Sequence, residues 1–230
     1  MKSITARITS TTDVIIRTEE EGHTLDQQLI AVNWFDTKIE WLYHLYNFLA
    51  ARSVLKIGGK PLFKGKVSED LGSDDGKRSI LLIVSYPNGK AFKSLLESTY
   101  FKIVSLLRIN AVKRFTFSFT NAVVPPNFNV EKNHYSIHHF DQSVDLKSIT
   151  QLHDEDKSGI CIMYAGYSYA YLNRKSKGEN EIRFPTIIDN IIIYGSDKEE
   201  SLRAMTESTD YRIQFENKTL GYLGIMERIF

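Results

Sequence analysis

The stretch LIAVNWFD (residues 29–36) decides the fold, because its ending returns in HHFD (residues 138–141). Both stretches close an apolar run with Phe-Asp and lead into a segment of helical periodicity. Matching landmarks then follow at separations that rise slowly, from 105 positions (Phe35 and Phe140) through 107 (Gly59 and Gly166) to 110 (Glu97 and Glu207). Small loop insertions produce such a rise. The sequence therefore predicts two diverged copies of one unit.

The first copy, residues 29–120, reads β-α-β-β-α-β. Asp36 is predicted to cap a helix whose apolar positions recur at three- and four-residue steps, and the pair Gly58-Gly59 is predicted to end that helix. The strand from Ser79 to Tyr86 is apolar on both faces and is therefore expected at the centre of a sheet. A second helix and the alternating strand from Phe115 to Phe119 complete the unit.

The second copy, residues 134–230, follows the same order, and Asp141 is predicted to cap its first helix. In this copy the landmark Tyr164-Ala165-Gly166 is placed between a helical stretch and a short strand from Tyr167 to Leu172. Asp197 and Glu200 form a capping-box pattern at the start of the last helix.

The predicted organisation therefore has four parts. An N-terminal extension, residues 1–28, contains two short alternating runs and is expected to form a hairpin. Residues 121–133 hold two adjacent prolines and several asparagines, a composition typical of a linker. The two copies occupy residues 29–120 and 134–230.

Composition places the chain among ordinary globular proteins. Its 230 residues are 42% hydrophobic and 25% charged, and the single cysteine, Cys161, cannot form an internal disulfide. The net charge of +1 gives no field that would attract nucleic acid or an anionic membrane. The apolar stretches are far shorter than a membrane helix, and the N-terminus lacks the apolar region of a secretory signal. A cytoplasmic protein with no nucleic-acid or membrane partner is expected.

Charge is distributed unevenly along the chain. Residues 29–120 carry 14 basic and 7 acidic groups, a balance of +7, whereas residues 121–230 carry 12 and 16, a balance of −4. A basic part beside an acidic part is compatible with an anion-binding surface, but parts of opposite charge also attract each other. We therefore expect the two copies to dock within one chain as a pseudo-dimer.

Short motifs accompany the repeated order: Gly58-Gly59 before the second strand, Ser85-Tyr86-Pro87-Asn88 after the third, and Ser98-Thr99-Tyr100 in the second helix. With these motifs, the chain resembles the dimeric α+β barrel superfamily over both copies. Within that superfamily it looks most similar to the uncharacterised proteins of the domain-of-unknown-function 1330 type. The resemblance implies an α+β fold, in which two ferredoxin-like β-α-β-β-α-β units pack as an intramolecular pseudo-dimeric α+β barrel around a pocket.

The resemblance carries over to individual residues unevenly. The family's tyrosine is matched by Tyr100 and Tyr211, and its arginine by Arg108 in the first copy alone. The family's glutamate is absent, since Ser85 takes its place in one copy and Ile193 in the other. The sequence therefore leaves open whether this chain is an enzyme.

Alternation on the first strand of each copy predicts which residues line the pocket. One face is large and apolar and is expected to pack against helices, which leaves Asn33 and His138 facing the space between the sheets. His138 is also consistent with a hydrogen-bonded interior histidine that does no chemistry. His138 and His139 are adjacent and point to opposite faces, so no metal site is predicted.

A run of tyrosines offers a second surface for a ligand. Tyr167, Tyr169 and Tyr171 alternate along one face of a strand. Their spacing favours sheet packing or an interface, and the alternative is a platform on which a planar ligand stacks.

Two functions remain open on the sequence alone. The first is the binding of a small molecule between the two sheets, without a cofactor, by a set of six candidate residues: Asn33, His138, Arg108, Tyr167, Tyr169 and Tyr171. The second is a non-catalytic scaffold or protein-interaction module. The chain is expected to be a monomer or a homodimer.

Overall fold

A computed structural model describes residues 14–16, 27–70, 78–140, 145–147, 150, 159–173, 190–208, 211 and 219–226. Its strands are β1 (Val14–Ile16), β2 (Leu29–Thr37), β3 (Lys60–Asp70), β4 (Ile80–Tyr86), β5 (Val112–Val124), β6 (His134–Phe140), β7 (Ile160–Asn173), β8 (Asn190–Ser196) and β9 (Thr219–Met226). Its helices are α1 (Glu40–Lys56), α2 (Gly89–Glu97), α3 (Thr99–Ala111) and α4 (Glu199–Glu207). The fold class is α+β, as predicted. No helix among these residues is long and apolar enough to cross a membrane.

The chain divides into two compact units, each of which takes one stretch from the other sequence copy. Unit 1 comprises Met1–Leu62, Arg78–Phe119 and Tyr169–Asn180, and unit 2 comprises Phe63–Lys77, Thr120–Ser168 and Glu181–Phe230. The long strands β3 and β7 therefore each begin in one unit and end in the other. The units differ in this respect from the sequence copies 29–120 and 134–230.

Unit 1 is built on the antiparallel pair β2 and β4, with β5 as the next neighbour of β2. Helices cover one face of this sheet. The core there contains Leu29 and Ala31 from β2, Leu95 from α2 and Phe101 from α3, all buried. Apolar side chains from three elements thus exclude water from one side of β2, which is the main stabilising term for a unit of this size.

Unit 2 has the strand order β3-β9-β6-β8-β7, and its described pairings are all antiparallel. β6 lies between β8 and β9, and every residue of β8 is buried. The core on the helix side joins Ile160 and Ile162 of β7, Ile192 of β8 and Leu202 of α4. The strand β6, which carries His138, therefore lies inside its sheet, with a neighbour on each side.

Two predicted helix caps are wrong. Asp36 lies one residue before the end of β2, where its Oδ1 accepts hydrogen bonds from Ser79 N (2.9 Å) and Ser79 Oγ (2.7 Å) and its other oxygen pairs with Arg114. Asp197 pairs with Lys132 (2.9 Å) and α4 starts one residue later than the capping-box pattern requires. In both cases the carboxylate binds a partner that is distant in sequence instead of the backbone N–H groups at the start of the helix.

Three predicted boundaries of helices and strands also differ from the observed ones. Gly166 lies inside β7 opposite Ile191, because the run that begins at Ile160 is strand and not helix. The predicted single second helix of the first copy is broken at Ser98, which ends α2 and caps α3. β5 extends to Val124, so four residues of the predicted linker belong to a strand.

The predicted N-terminal hairpin falls mostly outside the described residues. Its first run, Ile4 to Ile8, and the predicted cap Asp141 of the second copy lie there too. The second run forms β1, whose residues Val14–Ile16 pair with β7 through Ala170, Tyr171 and Leu172.

Candidate functional site

Asn33 and His138 lie on the helix-covered faces of their sheets, so the predicted orientation of these strands is wrong. Asn33 pairs with Leu82, and its neighbours two residues away, Ala31 and Phe35, belong to cores that include helix residues. His138 pairs with Ile192, which contacts the core that includes Leu202 of α4. Directly paired residues in an antiparallel sheet share a face, so both polar side chains face helices.

The side chain of His138 is the centre of a buried hydrogen-bonded chain. It is fully buried (0% exposed), as is Ser136, which lies two residues earlier on the same face of β6. Nε2 of His138 is hydrogen-bonded to Ser136 Oγ, and Nδ1 is hydrogen-bonded to the hydroxyl of Tyr211. Both ring nitrogens thus have a protein partner, which fixes the plane of the ring.

Tyrosine rings surround this histidine. The ring of Tyr194 meets the His138 ring edge-on at 5.6 Å between centroids, and the ring of Tyr211 does so at 5.2 Å. Tyr194 and the partly buried Tyr211 also contact the helix-side core of unit 2. Tyr167, one of the predicted candidates, packs against the same core, and its hydroxyl accepts a hydrogen bond from Leu146 N (3.2 Å). We call Ser136, His138, Tyr194 and Tyr211 the His138 cluster.

Burial determines the protonation states of this cluster. It lowers the pKa of His138 to about 3, so the imidazole is neutral at physiological pH. Burial likewise raises the pKa of the hydroxyls of Tyr194 and Tyr211, and the nearby Tyr194 raises the pKa of Tyr211 further. The cluster is therefore uncharged near pH 7.

A neutral imidazole carries one proton, so the cluster has two possible hydrogen-bond directions. With the proton on Nδ1, His138 donates to Tyr211 and accepts from the Ser136 hydroxyl. With the proton on Nε2, His138 donates to Ser136 and accepts from Tyr211. The arrangement can thus offer a ligand at the tyrosine end either a hydroxyl donor or a hydroxyl acceptor, without any change in net charge.

The first copy allows a position-by-position comparison. β2 and β4 pair in the same register as β6 and β8, so positions 105 apart on β2 and β6, and 110 apart on β4 and β8, correspond. Ser98 Oγ accepts a hydrogen bond from Phe101 N (3.4 Å). Ser208 Oγ accepts one from Tyr211 N (3.2 Å), so Tyr211 corresponds to Phe101 and not to Tyr100. The four residues of the His138 cluster are replaced in the first copy by Ala31, Asn33, Val84 and Phe101.

The remaining candidates lie in unit 1. Asn33 is 8% exposed and donates through Nδ2 to Leu82 O (3.1 Å). The guanidinium of Arg108 lies over the ring of Phe115, with 4.6 Å from Cζ to the ring centroid. Tyr169 and Tyr171 belong to the end of β7, where Tyr171 pairs with Ile15. Contacts are described for four of the six predicted ligand-binding candidates: Asn33, Arg108, His138 and Tyr167. Each of these contacts is with a residue outside the six.

Ser136, Tyr194 and Tyr211 were missed as candidates. Ser136 could have been found by its two-residue spacing from His138 on a strand. Tyr211 could have been found by aligning the serines that cap the two helices, which places it opposite an apolar residue of the first copy. In the described parts of the chain, no group of three or more His, Cys, Asp or Glu side chains is arranged to hold a metal ion.

Comparison with solved structures supports the fold. A candidate monooxygenase from Fusobacterium nucleatum aligns over 89% of this chain and 93% of its own, with a TM-score of 0.53 and 11% identity. A candidate monooxygenase from Lactobacillus acidophilus (88% and 94%, TM-score 0.44, 10% identity) and a candidate chlorite dismutase (87% and 95%, TM-score 0.48, 10% identity) are more distant in structure. The likeness to the Fusobacterium nucleatum protein shows the fold alone.

No family model matches the sequence, and no curated protein matches it. The resemblance to proteins of the domain-of-unknown-function 1330 type therefore stays a prediction. The register of the strands also changes one part of that resemblance. Gly195, not Ile193, stands opposite Tyr135 where Ser85 stands opposite Ile30, so Gly195 takes the place of the family's glutamate in the second copy.

Proposed function

We propose that the chain binds a small planar molecule beside the His138 cluster in unit 2. The observation that carries the proposal is the contrast between the copies. Three of the four cluster positions are apolar in the first copy, where the same backbone register is kept with Ala31, Val84 and Phe101. The fold therefore does not need a polar cluster at this place.

The free energy of burying polar groups also indicates that the fold does not need this cluster. A buried polar group costs about 1–3 kcal/mol if a partner is lost, while each satisfied hydrogen bond contributes only about 1 kcal/mol net. Replacing both partners of a buried hydrogen bond by apolar groups is often close to neutral, and the first copy has buried apolar residues at three of the four positions. A polar cluster that stability does not require is best explained by a ligand that uses it.

The chemistry of the cluster limits the ligand. Neutral imidazole and phenol groups do not neutralise a strong charge, so an uncharged molecule is favoured. Tyr167 and Tyr211 are partly buried and present aromatic surface, which suits a flat ring. Because Ser136 and His138 are fully buried, the ligand is expected to approach from the Tyr211 side and to hydrogen-bond its hydroxyl.

The experiment is a thermal-shift screen with uncharged aromatic probes that carry one hydroxyl or carbonyl group, such as 2-naphthol and 9-fluorenone, followed by calorimetry on any that bind. Tyr211→Phe removes one hydroxyl and creates the side chain of the first copy. We expect it to abolish the ligand-induced shift while leaving the unliganded protein folded. Tyr100→Phe, at an exposed tyrosine of the first copy, is the matched control.

The outcomes separate a site from a structural cluster. If a probe stabilises the wild type and Tyr100→Phe but not Tyr211→Phe, the proposal holds. If Tyr211→Phe binds every probe as the wild type does, or if no probe shifts the melting temperature, the His138 cluster has only a structural role.

We also infer that the two copies arose by duplication and that together they form the predicted pseudo-dimer. The shared registers and the two matching helix caps support common descent. The opposite charge balances of residues 29–120 and 121–230 support docking. Separate expression of residues 29–120 tests this, because a stable, cooperatively unfolding monomer of that fragment would contradict it.

A protein-interaction module is the second candidate function. It is favoured by large apolar side chains that α1 and α3 leave exposed, among them Trp41 at 69% and Ile103 at 62%. The two functions are compatible, because these helices belong to unit 1 and the His138 cluster belongs to unit 2.

A further inference from the structure

We propose that the sheet of unit 1 binds a pair of internal water molecules at the hydroxyls of Thr116 and Ser118 on β5. The proposal is independent of the His138 cluster, since both hydroxyls belong to unit 1. It rests on three observations. The two side chains point away from the helices of unit 1, they are almost fully buried, and neither hydroxyl has a hydrogen-bond partner in the described part of the protein.

The alternation of β5 determines where the two hydroxyls point. Phe115, Phe117 and Phe119 pack against the cores that contain residues of α1, α2 and α3. Successive side chains of a strand point to opposite faces, so Thr116 and Ser118 point to the other side of the sheet. We call this side, which points away from α1, α2 and α3, the far face of unit 1.

The far face is buried and mostly apolar. Val32 and Trp34 of β2 pair on it with Ile83 and Leu81 of β4, and all four are at most 1% exposed. Bulk water therefore does not reach the middle of this face.

The hydroxyls of the far face differ in their partners. Ser85 of β4, which pairs with Ile30, accepts a hydrogen bond from Gln28 Nε2 (2.9 Å). Thr116 is 3% exposed and Ser118 is 1% exposed, and both hydroxyls lack a partner among the described residues. Two polar atoms thus lie on one strand, on one face, without a protein group to bond them.

An unpaired hydroxyl is unfavourable at these positions because apolar side chains of nearly the same shape exist. Valine has the shape of threonine and a high preference for strands, and alanine lacks only the hydroxyl of serine. Both would avoid the cost of burying a hydroxyl without a hydrogen bond. Buried polar groups in proteins nearly always have a partner, which is an ordered water molecule where the protein provides none. We therefore assign water as the partner of Thr116 and Ser118.

The spacing of the two residues sets the number of water molecules. Residues two apart on a strand are separated by about 6.7 Å, and hydroxyls that point the same way have a similar separation. One water molecule with hydrogen bonds of about 2.8 Å spans at most about 5.6 Å, which is too short. Two water molecules bonded to each other span up to about 8.4 Å, so each can bond one hydroxyl and the other water.

The first experiment is a crystal structure of the full chain at a resolution that shows ordered water. We expect one water molecule bonded to Thr116 Oγ1 and a second bonded to Ser118 Oγ, in contact with each other. Thr120 is the matched control, because it is the next residue of this row on β5 and its hydroxyl is bonded to the hydroxyl of Tyr164. Its nearest oxygen should be that of Tyr164. The proposal is wrong if the hydroxyls of Thr116 and Ser118 bond main-chain carbonyls or have no water within hydrogen-bond distance.

The second experiment tests the water pair in solution by urea unfolding. Thr116→Val and Ser118→Ala should each lower the unfolding midpoint, because each removes a partner of the same water pair. The double variant should lower the midpoint by clearly less than the sum of the two shifts, since the pair is lost only once. Ser118→Ala combined with Thr120→Val is the control at equal spacing, and its two shifts should add.

Three results in solution would overturn the proposal. They are a higher midpoint for either single variant, additive shifts for Thr116→Val with Ser118→Ala, and an equally large departure from additivity for the control pair. A higher midpoint would mean that the hydroxyl is unbonded in the wild type, and an equal departure would mean that neighbouring side chains couple through packing. If a variant does not fold, the crystal structure of the wild type still decides.

Discussion

Replacing His138 by asparagine should flatten the dependence of stability on pH. The folded protein holds His138 and His139 neutral, since burial lowers the pKa of each to about 3, whereas an unfolded histidine titrates near 6.5. Between these values the unfolded chain binds more protons than the folded one, so the free energy of unfolding falls as the pH falls below 6.5. Asparagine is the residue of the first copy at this position, where it is tolerated as Asn33.

The magnitude follows from the two pKa values. Lowering the pH from 7 to 5 should cost about 2 kcal/mol of stability for each buried histidine, and therefore about 4 kcal/mol for both. His138→Asn removes one of the two groups. Its unfolding free energy should therefore change by about 2 kcal/mol less than that of the wild type over the same range, whatever the absolute stability of the variant.

Urea unfolding at pH 7, 6 and 5, at one fixed protein concentration, measures this difference. His44→Asn, which removes an exposed histidine from α1, is the control and should keep the wild-type pH dependence. The reasoning is refuted if His138→Asn and the wild type lose the same free energy between pH 7 and pH 5. In that case His138 would be protonated in the folded state, and the uncharged cluster would not exist.

Three further substitutions test the local structure by urea unfolding. Asp36→Ala should cost about 3 kcal/mol because it removes a buried carboxylate that pairs with the partly buried Arg114 and accepts two hydrogen bonds from Ser79, whereas Glu97→Ala, in an exposed ion pair, should cost under about 1 kcal/mol; equal losses would contradict a stabilising role of Asp36. Asn88→Ala should cost about 1 kcal/mol, since its side chain accepts a hydrogen bond from the start of α2, and an unchanged stability would show that the cap contributes nothing. Gly59→Ala should cost about 1–3 kcal/mol, because the new Cβ would lie 2.7 Å from Val54 Cγ1 and 2.9 Å from Val54 O; a neutral result would mean that the end of α1 shifts freely.

Strand positions were predictable from the sequence because they depend on local patterns. The run from Ser79 to Tyr86 carries apolar residues on both faces, and β4 occupies Ile80–Tyr86 as a largely buried strand beside β2. Caps were less predictable, since a carboxylate has several possible partners. Asp36 accepts hydrogen bonds from Ser79, 43 residues away, and no local sequence pattern predicts that contact.

The orientation of the strands could not be derived from side-chain size. Every residue from Leu29 to Asp36 is buried, so both faces of β2 exclude water and alternation does not show which one meets the helices. The same holds for Tyr135 to His139 on β6. His138 was chosen as a candidate on an orientation that the structure reverses, and its partner Tyr211 could be found only through the second helix cap.

The paths of β3 and β7 bear on how the chain folds during synthesis. In unit 2, Gly65 of β3 pairs with Met226 of β9, and in unit 1, Val14 pairs with Leu172. The edge of an emerging β3 that pairs with β9 must therefore wait for more than half of the chain, and loop closure over such separations is slow. Until then its edge is open to strands of other nascent chains. The exposed lysines Lys60 and Lys66 on β3 are well placed to discourage that pairing while the ribosome completes the partner strand.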